Sequence, residues 1–295
     1  MKKNDQTIRF LIDNTPVRGQ LISLDASWQK CIQQSKAGEF AKTLLGNALS
    51  AITLLASTLK IDGNITLQIR GQGAIHLLVA QATNKRAIRG VVRQSRELKN
   101  TNIPLKEIFE SDQMVVTIDT GKGKPHQGIV PLIGSSLSEA FEAYFENSEQ
   151  LPTRLWLACN ENRASGLLLQ KLPGDMTGEH EDKDSWNRLT HLASTITDKE
   201  LLELDDNEIL HRLFHEESIR LFEAEPVRFE CNCSREKTSD MIKSMGQKEA
   251  EEILLEQGKI NIHCEFCDTN YEFDSVDVKQ LFESELSLPP TQTRH

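Results

Sequence analysis

Two cysteine knuckles near the C-terminus constrain this chain more than any other feature. Cys231-Asn232-Cys233 and Cys264-Glu265-Phe266-Cys267 place four thiols in one short stretch. A tetrahedral site for a soft ion such as zinc needs four such ligands, and two knuckles that each supply a neighbouring pair solve that geometry. CxxC is the usual knuckle. CxC is tighter and less usual, so the combination is specific for metal without being a generic zinc ribbon. The expected ligands are Cys231, Cys233, Cys264 and Cys267, holding one Zn2+ per reduced chain. His263 adjoins the second knuckle, but strand alternation points it away from Cys264. Four thiolates leave no open position for a water, which argues against a zinc hydrolase.

A unit of about 60 residues buries little apolar surface and commonly needs a staple. Structural zinc contributes roughly 10–16 kcal/mol of apparent binding free energy in small finger peptides, so removing it should unfold such a unit. On cysteine spacing alone a purely structural staple is the favoured reading over a switch. The switch is possible because all four ligands are thiolates, the form that oxidants attack. Oxidation to disulfides would destroy the ligands and remove the staple. The remaining cysteines, Cys31 and Cys159, lie outside the cluster and are expected to be buried structural thiols.

Composition narrows the class of protein. The chain has 295 residues, 38% of them hydrophobic and 26% charged, as in a soluble globular protein. No signal-like leader opens it, so a cytoplasmic protein with reduced thiols is expected. The longest uncharged run, Thr43 to Leu59, contains Asn47, Ser50, Thr53, Ser57 and Thr58. It reads as a buried helix, too polar and too short to span a bilayer. Net charge is −10, and residues 175–225, with 15 Asp and Glu against 5 Lys and Arg, carry the whole excess. That balance opposes binding to nucleic acid or an anionic membrane. A nucleic-acid-binding or modifying protein with a structural zinc knuckle is the alternative class, and the lack of a basic, aromatic-interleaved stripe counts against it.

The hydrophobic pattern predicts an α+β protein: an N-terminal mixed α/β core domain (1–174), an acidic helical linker (175–228), a small zinc-binding domain (229–287) and a tail (288–295). Ile8–Ile12 and Val17–Leu24 read as strands around the turn Asp13-Asn14-Thr15-Pro16. Phe40–Leu59 carries apolar residues at helical spacing, with Ala and Gly that allow close packing. Asp62-Gly63 marks a turn before strict alternation at Ile65, Leu67 and Ile69, and further strands are expected at Ile75–Ala80, Met114–Ile118, Arg154–Cys159 and Gly166–Leu172. Ser136-Leu137-Ser138-Glu139 is a capping box. Pro173-Gly174-Asp175 looks like a boundary. Beyond it, Ile209, Leu210, Leu213, Phe214, Leu221 and Phe222 form one apolar helical stripe opposite an acidic face. This is either a solvated surface helix or a connector of low intrinsic stability whose stripe needs a partner surface. Further on, Lys248–Gln257 reads as a helix ended by Gly258, Ile260–His263 and Tyr271–Phe273 as short strands, and Asp274 or Ser275 as the cap of a last helix.

These residues resemble a known family. Phe229-Glu230-Cys231-Asn232-Cys233-Ser234-Arg235, Cys264-Glu265-Phe266-Cys267 and Tyr271-Glu272-Phe273-Asp274 are similar to the redox-switch domain of the heat shock protein 33 family, the 33 kDa redox-regulated chaperonins. The resemblance continues through Gln127-Gly128-Ile129-Val130-Pro131-Leu132, Tyr144-Phe145-Glu146-Asn147-Ser148-Glu149-Gln150-Leu151-Pro152-Thr153 and Ala164-Ser165-Gly166-Leu167-Leu168-Leu169-Gln170, and covers nearly the whole chain. It implies an ATP-independent holdase, inactive when reduced and zinc-bound. It further implies that oxidation pairs Cys231 with Cys233 and Cys264 with Cys267, that zinc is lost, and that the linker and C-terminal domain unfold. The exposed apolar surface then binds unfolding client proteins, usually as a homodimer, with no nucleic acid or membrane involved. Other motifs are weak: Gly121-Lys122-Gly123-Lys124 lacks the spacing of a phosphate-binding loop and reads as a hairpin loop, and no nucleophile–base pair points to an enzyme.

Overall fold

The computed structural model describes residues 5–58, 62–98, 103–173 and 184–286. It divides into two units, Met1–Glu230 and Cys231–His295. The Pro173-Gly174-Asp175 boundary lies partly, and the tail from Leu288 wholly, outside the described residues.

The first unit is built on two sheets. Its elements, in chain order, are β1 (Gln6–Ile12), β2 (Val17–Leu24), α1 (Ala26–Ile32), α2 (Glu39–Thr58), β3 (Asn64–Arg70), β4 (Ile75–Thr83), β5 (Ala87–Gln94), α3 (Leu105–Phe109), β6 (Gln113–Asp119) and β7 (His126–Pro131). They continue with α4 (Leu137–Tyr144), which runs into a π-helical turn (Phe145–Glu149), then β8 (Thr153–Cys159), β9 (Ala164–Lys171), α5 (Ser185–Ala193), α6 (Asp198–Glu203), α7 (Asp206–Phe214), β10 (Ile219–Leu221), β11 (Glu225–Pro226) and β12 (Arg228–Phe229). One sheet has the order β10-β1-β2-β9-β8, with β11 also on β1. The other runs β12-β5-β4-β3-β6-β7, and β12 on β5 is its parallel pair.

Helix α2 touches β2, β8 and β9 of one sheet and β3, β4 and β5 of the other, and thirteen of its residues are buried. It is apolar nearly all round, as a helix enclosed by its own protein must be. Its small residues let strands come close. At Gly46 an added Cβ would sit 2.2 Å from Cys159 Sγ, so only glycine fits there. One expectation is corrected: α2 is long and apolar enough, by length and composition, to cross a bilayer. What decides its place is packing, since 72% of its most apolar window is buried inside the protein.

The expected strands are present, most of them extended by a residue or a few; Val17–Leu24 keeps the expected bounds, and the strand expected at Gly166–Leu172 runs instead from Ala164 to Lys171. β5 was not foreseen, because Arg89, Gly90 and Arg93 interrupt its apolar pattern. Its pairing with β4 and the burial of Ile88, Val91 and Val92 override those residues. The glycine-rich segment at 121–124 joins β6 to β7 as a hairpin loop, with Gly121 and Gly123 at positive φ. At the 136–139 capping box, Ser136 Oγ accepts from the Glu139 N–H, but Glu139 Oε2 accepts from Ser135 rather than Ser136.

The apolar stripe at 209–222 is not one helix. α7 stops at Phe214, and Ile219–Leu221 turns back as β10, pairing Ile12 with Ile219 and Phe10 with Leu221. The open edge of β1 offers backbone partners that a longer helix would forgo, and Glu217 is held by Arg188 at 2.9 Å. The rest of the stripe, Ile209, Leu210, Leu213 and Phe214, joins Leu189, Leu201 and Leu202 on the face of the first sheet opposite α2, over Phe10, Leu21, Leu167 and Leu169. Successive residues of β9 therefore serve two cores: Leu168 faces α2, while Leu167 and Leu169 face α5–α7.

The second unit contains α8 (Arg235–Met245), α9 (Gln247–Gln257), the hairpin β13 (Ile260–His263) and β14 (Asn270–Phe273), and α10 (Ser275–Leu286). Gly258 ends α9 in the left-handed region at φ +76, as its position suggested. Asp274 caps α10, accepting from the N–H groups of Val276 and Asp277. α8 was not foreseen, since Thr238 and Ile242 are the residues it buries. The core is small: Ile242, Ala250, Ile260, Phe273, Val278 and Phe282 are its buried members.

Candidate metal centre

The two knuckles meet within the second unit. Strand β13 delivers Cys264 into a tight turn, in which the Asp268 N–H bonds to Cys264 O and the Cys264 N–H bonds to Thr269 O. Asp268 adopts φ +57 to close it. Cys231-Asn232-Cys233 precedes α8, whose N-terminus is capped by Ser234 accepting from the Lys237 N–H. Arg235 ties this end of α8 to the hairpin. Its guanidinium lies 4.2 Å over the Phe273 ring, donates to Glu272 O at 2.8 Å and pairs with Asp277 at 2.8 Å. Stacking on a ring while two nitrogens reach two different acceptors needs an arginine rather than a lysine.

The four Sγ atoms all lie within 4.8 Å of one another. Cys231 and Cys264 approach to 3.5 Å, and Cys233 and Cys267 to 3.4 Å. A tetrahedron of zinc–sulfur bonds of 2.3 Å has sulfur–sulfur edges of about 3.8 Å, so this cluster is of the size that such an ion fills. The donor set is all sulfur and half-buried, and it could hold a metal ion. The structure thus brings together all four of the expected ligand residues, and His263 is not among them: its exposed ring sits 3.9 Å from Asp268.

Donors surround the sulfurs. The Cys233 N–H serves Cys231, the Phe266 and Cys267 N–H groups serve Cys264, and the Thr269 N–H serves Cys267. Two hydroxyls add to these: Tyr271 donates to Cys233 Sγ at 3.1 Å, and Thr269 Oγ1 lies 3.2 Å from Cys267 Sγ. Sequence reasoning named Tyr271 as a strand residue and within the family resemblance, gave it no role at the sulfurs, and did not name Thr269; their places on the turn and on β14 could be found only once the hairpin register was known. Burial and the neighbouring thiols push Cys231 up to about 12. Burial works against ionisation of Cys267 too, but the Thr269 hydroxyl and N–H, together with the neighbouring Cys233 and Cys231 thiols, outweigh it and bring that thiol down to about 7.

Outside the cluster, Cys31 is buried in α1 and Cys159 is half-buried at the end of β8. Burial pushes each up to about 12, so both remain neutral thiols near pH 7. The first unit also holds an apolar cavity of about 170 Å³ between Leu55, Ile65, Val116 and Phe141, with Arg18 and Glu149 on its walls.

A mixed α/β unit of two sheets, together with a small unit gathered around four converging thiols, defines a two-unit thiol-cluster protein. Comparison with known proteins identifies the family. The profile of the family described as Hsp33 protein matches residues 5–274, and the chain belongs to that family. It is 44% identical to the 33 kDa chaperonin of Pseudomonas aeruginosa LESB58 over the full length of both chains. It is 43% identical to that of Nitrosococcus oceani, again with both chains covered in full. The crystal structure of the 33 kDa chaperonin from Thermotoga maritima shares the fold, with a TM-score of 0.79 over 97% of this chain and 100% of that one, at 23% identity.

Proposed function

We propose that the chain is a redox-regulated, ATP-independent chaperone of the cytoplasm that holds unfolding proteins and keeps them from aggregating. In the reduced state Cys231, Cys233, Cys264 and Cys267 hold one zinc ion, which when bound would supply the folding free energy that a core of six buried apolar residues, among those described, lacks. An oxidant such as hydrogen peroxide takes two electrons from each knuckle. Cys231 and Cys233 become one disulfide and Cys264 and Cys267 the other, while peroxide is reduced to water. All four ligands are lost in that step, and the domain at 229–287 loses its staple.

The acidic linker at 175–228 acts as the second part of the switch. Within it, α5–α7 cover Phe10, Leu21, Leu167 and Leu169 of the first sheet. Opening this segment uncovers an apolar sheet face and the apolar sides of the helices themselves, a surface suited to the exposed hydrophobic segments of client proteins. The active oxidised form is a homodimer in this reading.

The observation that carries the proposal is the convergence of four thiols in a unit with so small a core, in a chain whose full-length relatives are named chaperonins. The test is to treat the reduced, zinc-loaded protein with peroxide or hypochlorous acid, measure zinc release, and assay aggregation of an unrelated unfolding protein. Suppression by the oxidised form alone is expected. Equal suppression by both forms, or retained zinc with suppression, would contradict the switch.

A further inference from the structure

The four sulfurs of the cluster are not equivalent in their hydroxyl partners. Tyr271 donates to Cys233 Sγ at 3.1 Å, and Thr269 Oγ1 lies 3.2 Å from Cys267 Sγ. A metal-bound or ionised cysteine sulfur has no proton to give, so in both contacts the hydroxyl is the donor. Among the described residues no hydroxyl reaches Cys231 or Cys264, which take backbone N–H groups instead. Each knuckle therefore has its second cysteine, and that one alone, under a side-chain hydroxyl. Both hydroxyls are set by the same hairpin. Tyr271 stands on β14, opposite Ile262 of β13, and Thr269 ends the turn whose carbonyl accepts from the Cys264 N–H.

We propose that Tyr271 and Thr269 are positioning residues of the thiol switch, each restraining oxidation of the knuckle whose sulfur it bonds. The inference rests on the reading of the cluster as a redox switch. A hydroxyl that donates to a thiolate occupies one of its lone pairs and withdraws charge from it. The sulfur lone pairs are the nucleophile in oxidation, and the donated hydrogen bond makes them less reactive. With peroxide as the oxidant, Cys233 Sγ attacks one peroxide oxygen, an S–O bond forms, the O–O bond breaks and hydroxide leaves. Cys231 Sγ then attacks the Cys233 sulfur, the S–S bond forms, the S–O bond breaks, and a second hydroxide leaves. Two electrons pass from the pair of thiolates to the peroxide. The same sequence at the other knuckle begins on Cys267 and ends with Cys264. In each case the hydroxyl's hydrogen bond lowers the reactivity of the sulfur that makes the first attack.

The experiment uses the full-length, reduced, zinc-loaded protein and its Tyr271→Phe, Thr269→Val and Thr269→Ser variants. Zinc per chain is measured first. Initial rates of oxidation by hydrogen peroxide are then followed at each cysteine by quenching with light and heavy alkylating reagents and mapping the peptides. Initial rates are needed because loss of one knuckle exposes the other. Tyr271→Phe keeps the half-buried ring and removes only the oxygen; it is expected to retain one zinc and to speed Cys231–Cys233 oxidation roughly three- to tenfold, with Cys264–Cys267 unchanged. Thr269→Val is expected to do the reverse, and Thr269→Ser, which restores the hydroxyl, to return the Cys264–Cys267 rate to that of the parent. Unchanged rates in both variants would overturn the inference. Equal acceleration of both knuckles by either variant would also overturn it, because that is what mere loosening of the unit produces. If the parent protein binds no zinc, or its four cysteines do not oxidise in pairs, the switch reading itself fails, and this inference with it.

Discussion

At the scale of single residues, the thiol cluster and the buried thiols make opposite predictions. Cys231→Ser and Cys267→Ser each remove one of four converging sulfurs, and metal analysis of the purified variants should show zinc lost or much weakened against one ion per parent chain. Full retention in both would sink the ligand assignment. Cys31 and Cys159 matter through protonation rather than coordination. Their pKa values are raised by burial from 9.0 to about 12 in the folded chain. The folded state thus holds their protons more tightly than the unfolded state, and the associated stability is fully present below the ordinary thiol value of 9.0 and is lost as pH rises toward about 12. Urea unfolding of the first unit between those values should fall less steeply with pH in a Cys31→Ala, Cys159→Ala variant. An identical slope would show that these thiols ionise freely in the folded chain.

At the scale of elements, the acidic segment is held by its caps and its stripe. α6 and α7 both begin with complete capping boxes, Thr197 with Glu200 and Asp205 with Glu208. Each cap lost costs about 1 kcal/mol. Like charges on the outer face weaken the same helices, so the caps and the sheet contact are what keep them in place. Phe214 is fully buried, with its ring 6.1 Å from that of Phe10. Phe214→Ala should therefore destabilise the packing of α7 on the sheet by about 3–5 kcal/mol. Limited proteolysis of the reduced, zinc-loaded variant should cut within 184–217 at protease levels that leave the parent intact. In the proposed switch this variant should also suppress aggregation partly without oxidant. Unchanged proteolysis would mean that the docked helices do not depend on this contact.

For the whole molecule, the prediction concerns order and pairing. Removing zinc by oxidation should abolish hydrogen-exchange protection from about residue 229 onward first, then at α5–α7, while α2 and strands β1–β9 stay protected. Uniform loss, or none, would count against a staged switch. Peptide mapping should find Cys231–Cys233 and Cys264–Cys267. Neighbouring thiols close a very short loop, whereas a bridge between the knuckles must close about thirty residues at greater entropic cost. A long-range bridge would also staple the domain in place of the metal and keep it shut. Dominant Cys231–Cys264 or Cys233–Cys267 pairing would contradict the mechanism, even though those are the pairs in contact at 3.5 and 3.4 Å in the folded cluster.

The four-cysteine cluster was legible in the sequence because the two knuckles are local: a CxC and a CxxC each supply two sulfurs within a few residues. Strands β1–β4, β6, β8 and β9 and helix α2 were legible for the same reason, since period-2 and helical patterns at Ile65, Leu67 and Ile69 or along Leu44–Leu55 record which side of an element is buried. Other features depended on partners distant in the chain. β5 forms despite Arg89, Gly90 and Arg93 because β4 pairs with it, and β10 replaces the end of an expected helix because the edge of β1 was open. The surface that the apolar stripe of 209–214 requires turned out to be the face of a sheet whose strands lie at 6–24 and 153–171. The hydroxyls over Cys233 and Cys267 appeared only once the hairpin register was set. Periodicity and knuckle spacing are properties of neighbours along the chain; sheet edges, helix docking and hydrogen bonds to a sulfur are properties of neighbours in space, and only the folded structure decides them.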